Sequence, residues 1–422
     1  MTGRAAVITM IAACTLAVAG PAAAAAAAPG ASAAGTPGRS AVSRLLGPGA
    51  RALQPGSRPA AAGERTMATA AAPTEFTGAL LYGVSCTGKA QCTAAGLVTT
   101  RSGKNSRTLA ERWNGTKWAV QSTPTPLSGG LLGGTLAAGV SCTSSHACVA
   151  AGYSYSKSKL SLLGEGWNGA KWATQARNKQ PALVLPYGIT CTWAKDCLTV
   201  GMRGSGATVA EHWNGKKWSV LATKRLGLLG SVTCPATGNC SAVGEAGAGK
   251  ALAEHWNGKT WSVQATASPN AFSPLIGVSC HPAGTCLAVG TTTANGTTQA
   301  PLAEQWNGTK WANIHAIDPT AGDLAELDSV SCISATDCWA VGDAGPSSGS
   351  SVSALAEQWN GSTWSVVSTP AVATFATLDS VSCTSASHCV AVGGDAATAT
   401  GSVHALVEVW NGTTWTQQTA PN

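Results

Sequence analysis

The stretch Ser329-Val-Ser-Cys332, five residues, Cys338-Trp-Ala-Val-Gly342, a loop, and Ala354-Leu-Ala-Glu-Gln-Trp-Asn-Gly-Ser-Thr-Trp364 decides the fold. Two short apolar runs flank a tight turn, and the cysteines sit where those runs meet. A second pair of alternating runs turns on Trp-Asn-Gly, and Asn-Gly between alternating segments is a strong hairpin signal. Two hairpins give four strands, and no helical periodicity competes with them.

The same pattern occurs seven times. Its cysteine pairs are Cys86/Cys92, Cys142/Cys148, Cys191/Cys197, Cys234/Cys240, Cys280/Cys286, Cys332/Cys338 and Cys383/Cys389. Its tryptophan pairs are Trp113/Trp118, Trp167/Trp172, Trp213/Trp218, Trp256/Trp261, Trp306/Trp311, Trp359/Trp364 and Trp410/Trp415. A period of about fifty residues with four strands per unit predicts an all-β, seven-bladed β-propeller with four-stranded antiparallel blades, over residues 73–422.

The N-terminus reads as an export signal. Met1–Arg4 is a short basic segment, Ala5–Ala19 is apolar, and the alanines from Ala22 to Ala28 offer small-x-small cleavage positions, giving a signal peptide over 1–28. Ile11-Ala12-Ala13-Cys14 also fits a lipobox, which would leave Cys14 lipidated at the cell surface. The apolar stretch before Cys14 is short and Thr15–Gly20 stays apolar, so free secretion is the reading carried forward. Residues 29–72 are Ala, Gly, Pro and Ser with scattered Arg, a composition that cannot bury enough surface to offset its ordering entropy, and they read as a disordered linker.

The chain has 15 Cys, and removing Cys14 with the signal leaves seven equivalent pairs. Paired cysteines in an exported chain predict disulfides, one within each repeat, worth about 2 kcal/mol per small loop. No recurring His joins them as a metal set. Residues 1–72 hold six Arg and one Glu, net +5, so only +2 of the formal +7 belongs to the remaining 350 residues. That leaves a nucleic-acid partner without electrostatic support. No apolar stretch outside the signal is long enough to span a bilayer as a helix.

Hairpin register places the repeated acid. With Asn360 and Gly361 as a two-residue turn, Glu357 would face Trp364, and Leu355, Glu357, Trp359 and Trp364 would share one face. Glu111, Glu165, Glu211, Glu254, Glu304 and Glu408 occupy the matching places. A carboxylate copied into every unit suits packing between blades, whereas a ligand site or catalytic centre would need asymmetry.

Repeat seven, Cys389-Val-Ala-Val-Gly-Gly394 followed by Ala405-Leu-Val-Glu-Val-Trp-Asn-Gly-Thr-Thr-Trp415, resembles a kelch repeat: a strand ending in Gly-Gly, an apolar-Glu-apolar-aromatic-Asn strand, and a Trp in the last strand. The Gly doublet is complete only at Gly393-Gly394, and paired cysteines are not a kelch feature. The repeats are also similar to those of secreted actinobacterial repeat proteins. Secreted kelch-like propellers include galactose-oxidase-like copper enzymes and pure binding modules. Copper chemistry of that kind would need Tyr and His ligands and a Tyr–Cys crosslink. Every mature Cys already has a repeat partner and the tyrosines are only Tyr82, Tyr153, Tyr155 and Tyr187. No cofactor, metal or catalytic residue is therefore expected.

Ser154-Tyr-Ser-Lys157 matches S-x-x-K in a polar loop without helix context, and the Asn-Gly-Thr/Ser triplets at Asn114, Asn307, Asn360 and Asn411 match sequons where the turn already requires Asn-Gly. Asp318, Asp323, Glu326 and Asp328 cluster between repeats five and six and read as a solvated loop, with a calcium site as the alternative. Variation among copies points to Trp193, a tryptophan outside the repeat pattern, and to Tyr153 and Tyr155 in a long basic loop. The expectation is a monomeric, non-catalytic binding or scaffold module for carbohydrate or an extracellular protein, with a propeller lyase or hydrolase as the alternative. The repeats run in phase from end to end, so blades one and seven should meet by side-chain packing, helped by Phe76–Tyr82, at the weakest seam of the ring.

Overall fold

The computed structural model describes residues 76–421, apart from 101–105, 125–133, 157–158, 178–183, 224, 282–283, 294–297, 320–322 and 400. The expected signal, Cys14 and the linker lie outside the described residues. Among the described residues twenty-eight strands form seven consecutive antiparallel groups of four, from Phe76–Gly88 at the start to Trp415–Gln418 at the end, the first two groups joined by a single parallel pair, Ser106 with Gly134. The first strand of each blade meets the first strands of both neighbouring blades, and blade seven's Phe375–Ser385 meets blade one's Phe76–Gly88, which closes the ring. First strands therefore lie innermost and fourth strands at the rim.

All seven expected disulfides form, each within its own repeat: Cys86–Cys92, Cys142–Cys148, Cys191–Cys197, Cys234–Cys240, Cys280–Cys286, Cys332–Cys338 and Cys383–Cys389. The sequence pattern treats the two members of a pair alike, but the structure separates them. The second member is buried in every blade: Cys92, Cys148, Cys197, Cys240, Cys286, Cys338 and Cys389 are at most 6% exposed. Each lies in the apolar cluster its blade shares with the blade before it, while its half-buried partner packs against that cluster from the side. These cysteines therefore belong to the core rather than to an accessible site. The cause is the pleat of the second strand, which turns its cysteine toward the preceding blade along with every second residue after it.

Every first strand also bulges by one residue, as between Leu327 and Ser329 or Leu81 and Gly83. The bulge explains the Gly that ends the second strand of the repeat. A Cβ on Gly342 would collide with Glu326 O, and one on Gly96 with Leu80 O, so only Gly lets the bulged strand approach.

The second hairpin differs from the expected register. Trp359 pairs with Trp364, Gln358 with Ser365 and Glu357 with Val366, closing a four-residue loop rather than a two-residue one. The cause is the Asn side chain. Asn360 Oδ1 accepts from the backbone N–H of Ser362 and Thr363 at 2.9 Å each, and only Gly361 takes a positive φ, 96°. The same arrangement recurs from Asn114 to Asn411. Leu355, Glu357, Trp359 and Trp364 still share a face, because directly paired residues project the same way. The two rings of each Trp pair lie 5.5–6.0 Å apart and tilted.

Those faces build the core, which lies between blades. One apolar cluster occupies each of the seven interfaces, and the fourth-strand Trp of each blade packs into the interface with the blade before it. Trp118, Trp218 and Trp311 also donate to Gln418, Gln175 and Gln264 of that preceding blade, at 2.8–2.9 Å.

Nearer the axis, serines lock successive blades together. The N–H of Cys142 donates to Ser85 Oγ, Cys191 to Ser141, Cys332 to Ser279 and Cys383 to Ser331, at 2.9–3.0 Å. The seam between blades seven and one has the same bonds: Cys86 N–H to Ser382 Oγ at 3.0 Å and Val84 N–H to Ser380 Oγ at 3.2 Å. Ala79 N–H also donates to Val403 O at 2.8 Å, as Ala325 does to Gln299 and Ala376 to Val352 at the two preceding interfaces. The seam, expected to rest mainly on side-chain packing, has no strand ladder across it among the described residues, but with these hydrogen bonds it is bonded like its neighbours rather than weaker. Leu80 and Leu81 pack into it, so the Phe76–Tyr82 segment contributes as expected.

Candidate functional site

The seven repeated glutamates are all buried, with at most 1% of their surface exposed. Glu304 accepts from the N–H groups of Ala267 and Ser268 at 3.1 and 3.2 Å, and Glu357 from Ile317 at 3.1 Å, in each case from the connection leaving the preceding blade. Thr108 and Thr208 donate to Glu165 and Glu254 of the blades that follow. Among the described residues neither oxygen of Glu111 or Glu408 accepts a hydrogen bond. Burial pushes Glu111, Glu165 and Glu408 up to about 8 and Glu211 and Glu357 up to about 7, and it raises Glu254 and Glu304. Glu165, Glu254, Glu304 and Glu357 join successive blades through these hydrogen bonds, and with all seven buried the candidates for a site are the places where the copies differ.

Trp193 is such a place. It stands in the first hairpin of blade three with 70% of its surface exposed. Beside it, Asp196 accepts from Thr192, from Thr237 of blade four at 2.9 Å, and meets His212 Nε2 at 2.6 Å. Burial works against the Asp196 carboxylate, but the bonds from Thr192, His212 and Thr237 outweigh it and hold its pKa below the ordinary value. Tyr153 does not join Trp193. It is buried (3% exposed) against Leu97 and Leu185, at the end of the second strand opposite to the cysteine turn. Tyr155 lies two residues further along that strand, Ala147–Ser156. The three sequence candidates thus divide between the two ends of the ring. Ser154 belongs to the same strand, buried, with its hydroxyl 3.0 Å from Ser161 Oγ rather than in a loop.

The cysteine-turn end also carries a groove of about 460 Å³ between blades one and two, lined by Gln91, Arg112, Trp113, Gln121, His146 and Trp167 among others. Arg112 crosses it. Its Nη2 donates to Ser145 O at 2.8 Å and its Cζ lies 4.7 Å from the centroid of the Trp167 ring, a cation–π contact. Trp113 and Trp167 are fixed by Nε1 bonds of 3.2 Å to Lys89 O and Ser145 O, so their rings are held rigid.

The repeats supply an internal comparison for Arg112. In blade three the matching residue is His212, with Asp196 beside it, and in blade six it is Gln358, whose Nε2 donates to Asp337 at 3.4 Å. In blade one the residue at the Asp196 and Asp337 position is Gln91, which is neutral, and no acid lines the groove. Arg112 was missed in the sequence; the signal was an Arg112/Gln91 pair standing where blades three and six pair a polar side chain with an acid.

At the axis, Glu326 and Asp328 are not in a solvated loop as expected. They belong to blade six's first strand, Leu324–Ser334, and come together with Asp343 on the next strand.

No protein-family model and no curated protein matches the sequence. Among solved structures, the chain is similar to the GH74 xyloglucanase from Xanthomonas campestris (12% identity, TM-score 0.50, 79% of this chain and 55% of that one). It is also similar to the Aleuria aurantia lectin in complex with Fucα1-6GlcNAc (13% identity, TM-score 0.42, 82% and 97%) and to U3-55K (9%, 0.46, 74% and 88%). At these identities the likeness is one of fold: the chain is a β-propeller.

Proposed function

We propose that this protein is a secreted, monomeric, non-catalytic β-propeller that binds carbohydrate at the groove between blades one and two, with acidic sugars as the favoured class. The observation that carries the reading is Arg112, a guanidinium held against Trp167 in a groove without a carboxylate. The fixed indole of Trp113 offers apolar surface to a sugar ring, while Arg112, seated on Trp167, and Gln91 and His146 offer polar groups that orient it. An arginine in a groove without acids favours a ligand that brings a carboxylate or sulfate. Residues 73–310 hold 20 Lys and Arg against eight Asp and Glu, so the surrounding field favours the same ligand.

Seven disulfides fit an oxidising compartment, and among the described residues no helix is long and apolar enough to cross a membrane. Export through the 1–28 signal, the kelch-like relationship of the repeats and an actinobacterial source belong to the same proposal, on the motifs quoted above.

A glycan array holding neutral and uronate-containing oligosaccharides is the test. Binding to uronates that weakens with salt supports the reading. Binding to extracellular proteins only would move the partner class. Depolymerisation of a polysaccharide would favour the lyase or hydrolase alternative.

A further inference from the structure

Strand pairing puts both hairpin turns of a blade at the same end of the ring. In blade one Cys86 pairs with Cys92, Cys92 with Trp113 and Trp113 with Trp118, a single row that lies just below the two turns. The groove opens at that end. Its charge is one-sided, although the propeller as a whole is nearly neutral.

The second turn holds a lysine in each of blades one to five: Lys117, Lys171, Lys217, Lys259 and Lys310. Lys216 stands beside Lys217, and the first turns of blades one and three add Lys89 and Lys195. All of these lysines are exposed, and among the described residues none is in an ion pair. The second turns of blades six and seven, Asn360-Gly-Ser-Thr363 and Asn411-Gly-Thr-Thr414, have no lysine. They close in the same way, with Asn Oδ1 accepting from two backbone N–H groups, as Asn214 does from Lys216 and Lys217. The turn itself therefore has no need of lysine.

Only two acids occupy the hairpin turns, Asp196 and Asp337. Asp196 is taken up by Thr192, Thr237 and His212, and Asp337 by Gln358. The lysines thus form an arc over five successive blades with no free acid among the turns to neutralise it. The arc is continuous with the groove. Lys89 adjoins the lining residue Ala90, and Lys117 and Lys171 belong to the turns that hold Asn114 and Gly169 of the lining. Trp193, 70% exposed, stands in the first hairpin of blade three within the same arc.

Lysines on separate turns are point charges spread along a line, which suits a ligand with charge repeated along its length. Such an arc raises the local concentration of a polyanion and binds it by displacing its counterions. A groove and a standing aromatic ring favour a thin chain over a flat anionic membrane. The oxidising compartment that seven disulfides fit favours polysaccharide over nucleic acid.

We propose that the hairpin-turn end of blades one to five is a docking track for a linear anionic polysaccharide, carboxylated or sulfated, whose chain runs from the groove along the lysine arc. The track rests on the reading of the groove as a site for acidic sugars and extends it. The ligand is a polymer recognised by repeated charge, not a single terminal sugar.

The test is calorimetry on the full oxidised chain at pH 7.5. The probes are a galacturonate trisaccharide, polygalacturonate and a sulfated galactan of matched length, compared at equal sugar concentration. At least one polymer should bind tighter than the trisaccharide by about tenfold or more, and its affinity should fall about tenfold from 50 to 200 mM salt. Lys216→Gln, Lys259→Gln and Lys310→Gln together, all outside the groove, should weaken that polymer about fivefold or more and leave the trisaccharide unchanged. Arg225→Gln with Lys250→Gln, at the opposite end of the ring, should change neither. A trisaccharide that binds through Arg112 while neither polymer binds tighter would overturn the track and leave the groove standing. Polymer affinity untouched by the three lysines would do the same. Polymer binding lost in the lysine variant but kept in Arg112→Ala would uphold the track and remove the groove. Tighter binding of a DNA duplex or of phosphatidylglycerol vesicles than of either polymer would overturn the choice of partner.

Discussion

Replacing Glu111 by Gln should stabilise this protein at neutral pH and leave it unchanged in acid. Glu111 is fully buried at the seam of blades seven and one, and neither oxygen accepts a hydrogen bond among the described residues. Burial raises its pKa from 4.5 to about 8. Between those values the folded chain holds a proton that the unfolded chain releases, so stability is fullest below 4.5 and falls as pH rises toward 8. At pH 7 the carboxyl has cost about 3 kcal/mol, taking about 1.36 kcal/mol for each pH step above 4.5. Gln keeps the shape and needs no proton. Urea unfolding with disulfides intact, at pH 4, 5.5, 7 and 8.5, should therefore give coincident midpoints at pH 4 and a variant more stable by about 3 kcal/mol at pH 7. Glu408→Gln should behave alike, since burial also raises Glu408 to about 8. Parallel loss of stability with pH in variant and natural chain would refute the reasoning, as would a variant weaker at pH 7.

The equivalent Glu304 should respond in the opposite direction. Glu304→Ala orphans the N–H groups of Ala267 and Ser268, and a stability loss of about 2 kcal/mol at pH 5 is expected by urea unfolding. Ser382→Ala removes one hydroxyl latch at the ring seam and should cost about 1 kcal/mol, with faster hydrogen exchange at Cys86 than at Cys332. Non-reducing peptide mapping should find seven disulfides, each within one repeat; a link between repeats would break the blade assignment. Trp193→Ala should change stability by less than about 0.5 kcal/mol, because the ring is mostly in solvent.

Much of the ring was legible because packing is repeated and repetition is visible. Seven Cys pairs and seven Trp pairs fix the blades, and a Glu buried in every copy reads as structure. What the Cys spacing could not tell is which member is buried, since that depends on the neighbouring blade. The Trp-Asn-Gly turn was misjudged because Asn360 and Gly361 were taken as the whole turn, whereas the Asn side chain collects two N–H groups and lengthens the loop to four residues. The seam was underrated because Ser380 and Ser382 look like ordinary polar residues, and their partners lie 296 residues away in sequence. Tyr153 read as a loop aromatic because its neighbours are polar, yet it faces Leu97 and Leu185 from adjacent blades. Glu326 and Asp328 read as a solvated loop because their spacing in sequence shows neither the strand that carries them nor Asp343, which meets Glu326 only across the hairpin. Asymmetry among copies is what singles out the groove at Arg112, and a single copy shows none of it.

The central claim is that residues shared by all blades hold the ring while residues peculiar to a few bind partners. Acidic-oligosaccharide binding by calorimetry and melting temperature, measured on the same preparations of Arg112→Ala and Glu304→Ala, tests it most directly. Arg112→Ala should lose at least tenfold in affinity with its melting temperature unchanged, and Glu304→Ala should melt several degrees lower with full affinity while folded. Unchanged binding in Arg112→Ala, or binding lost in a still-folded Glu304→Ala, would contradict the division between frame and site.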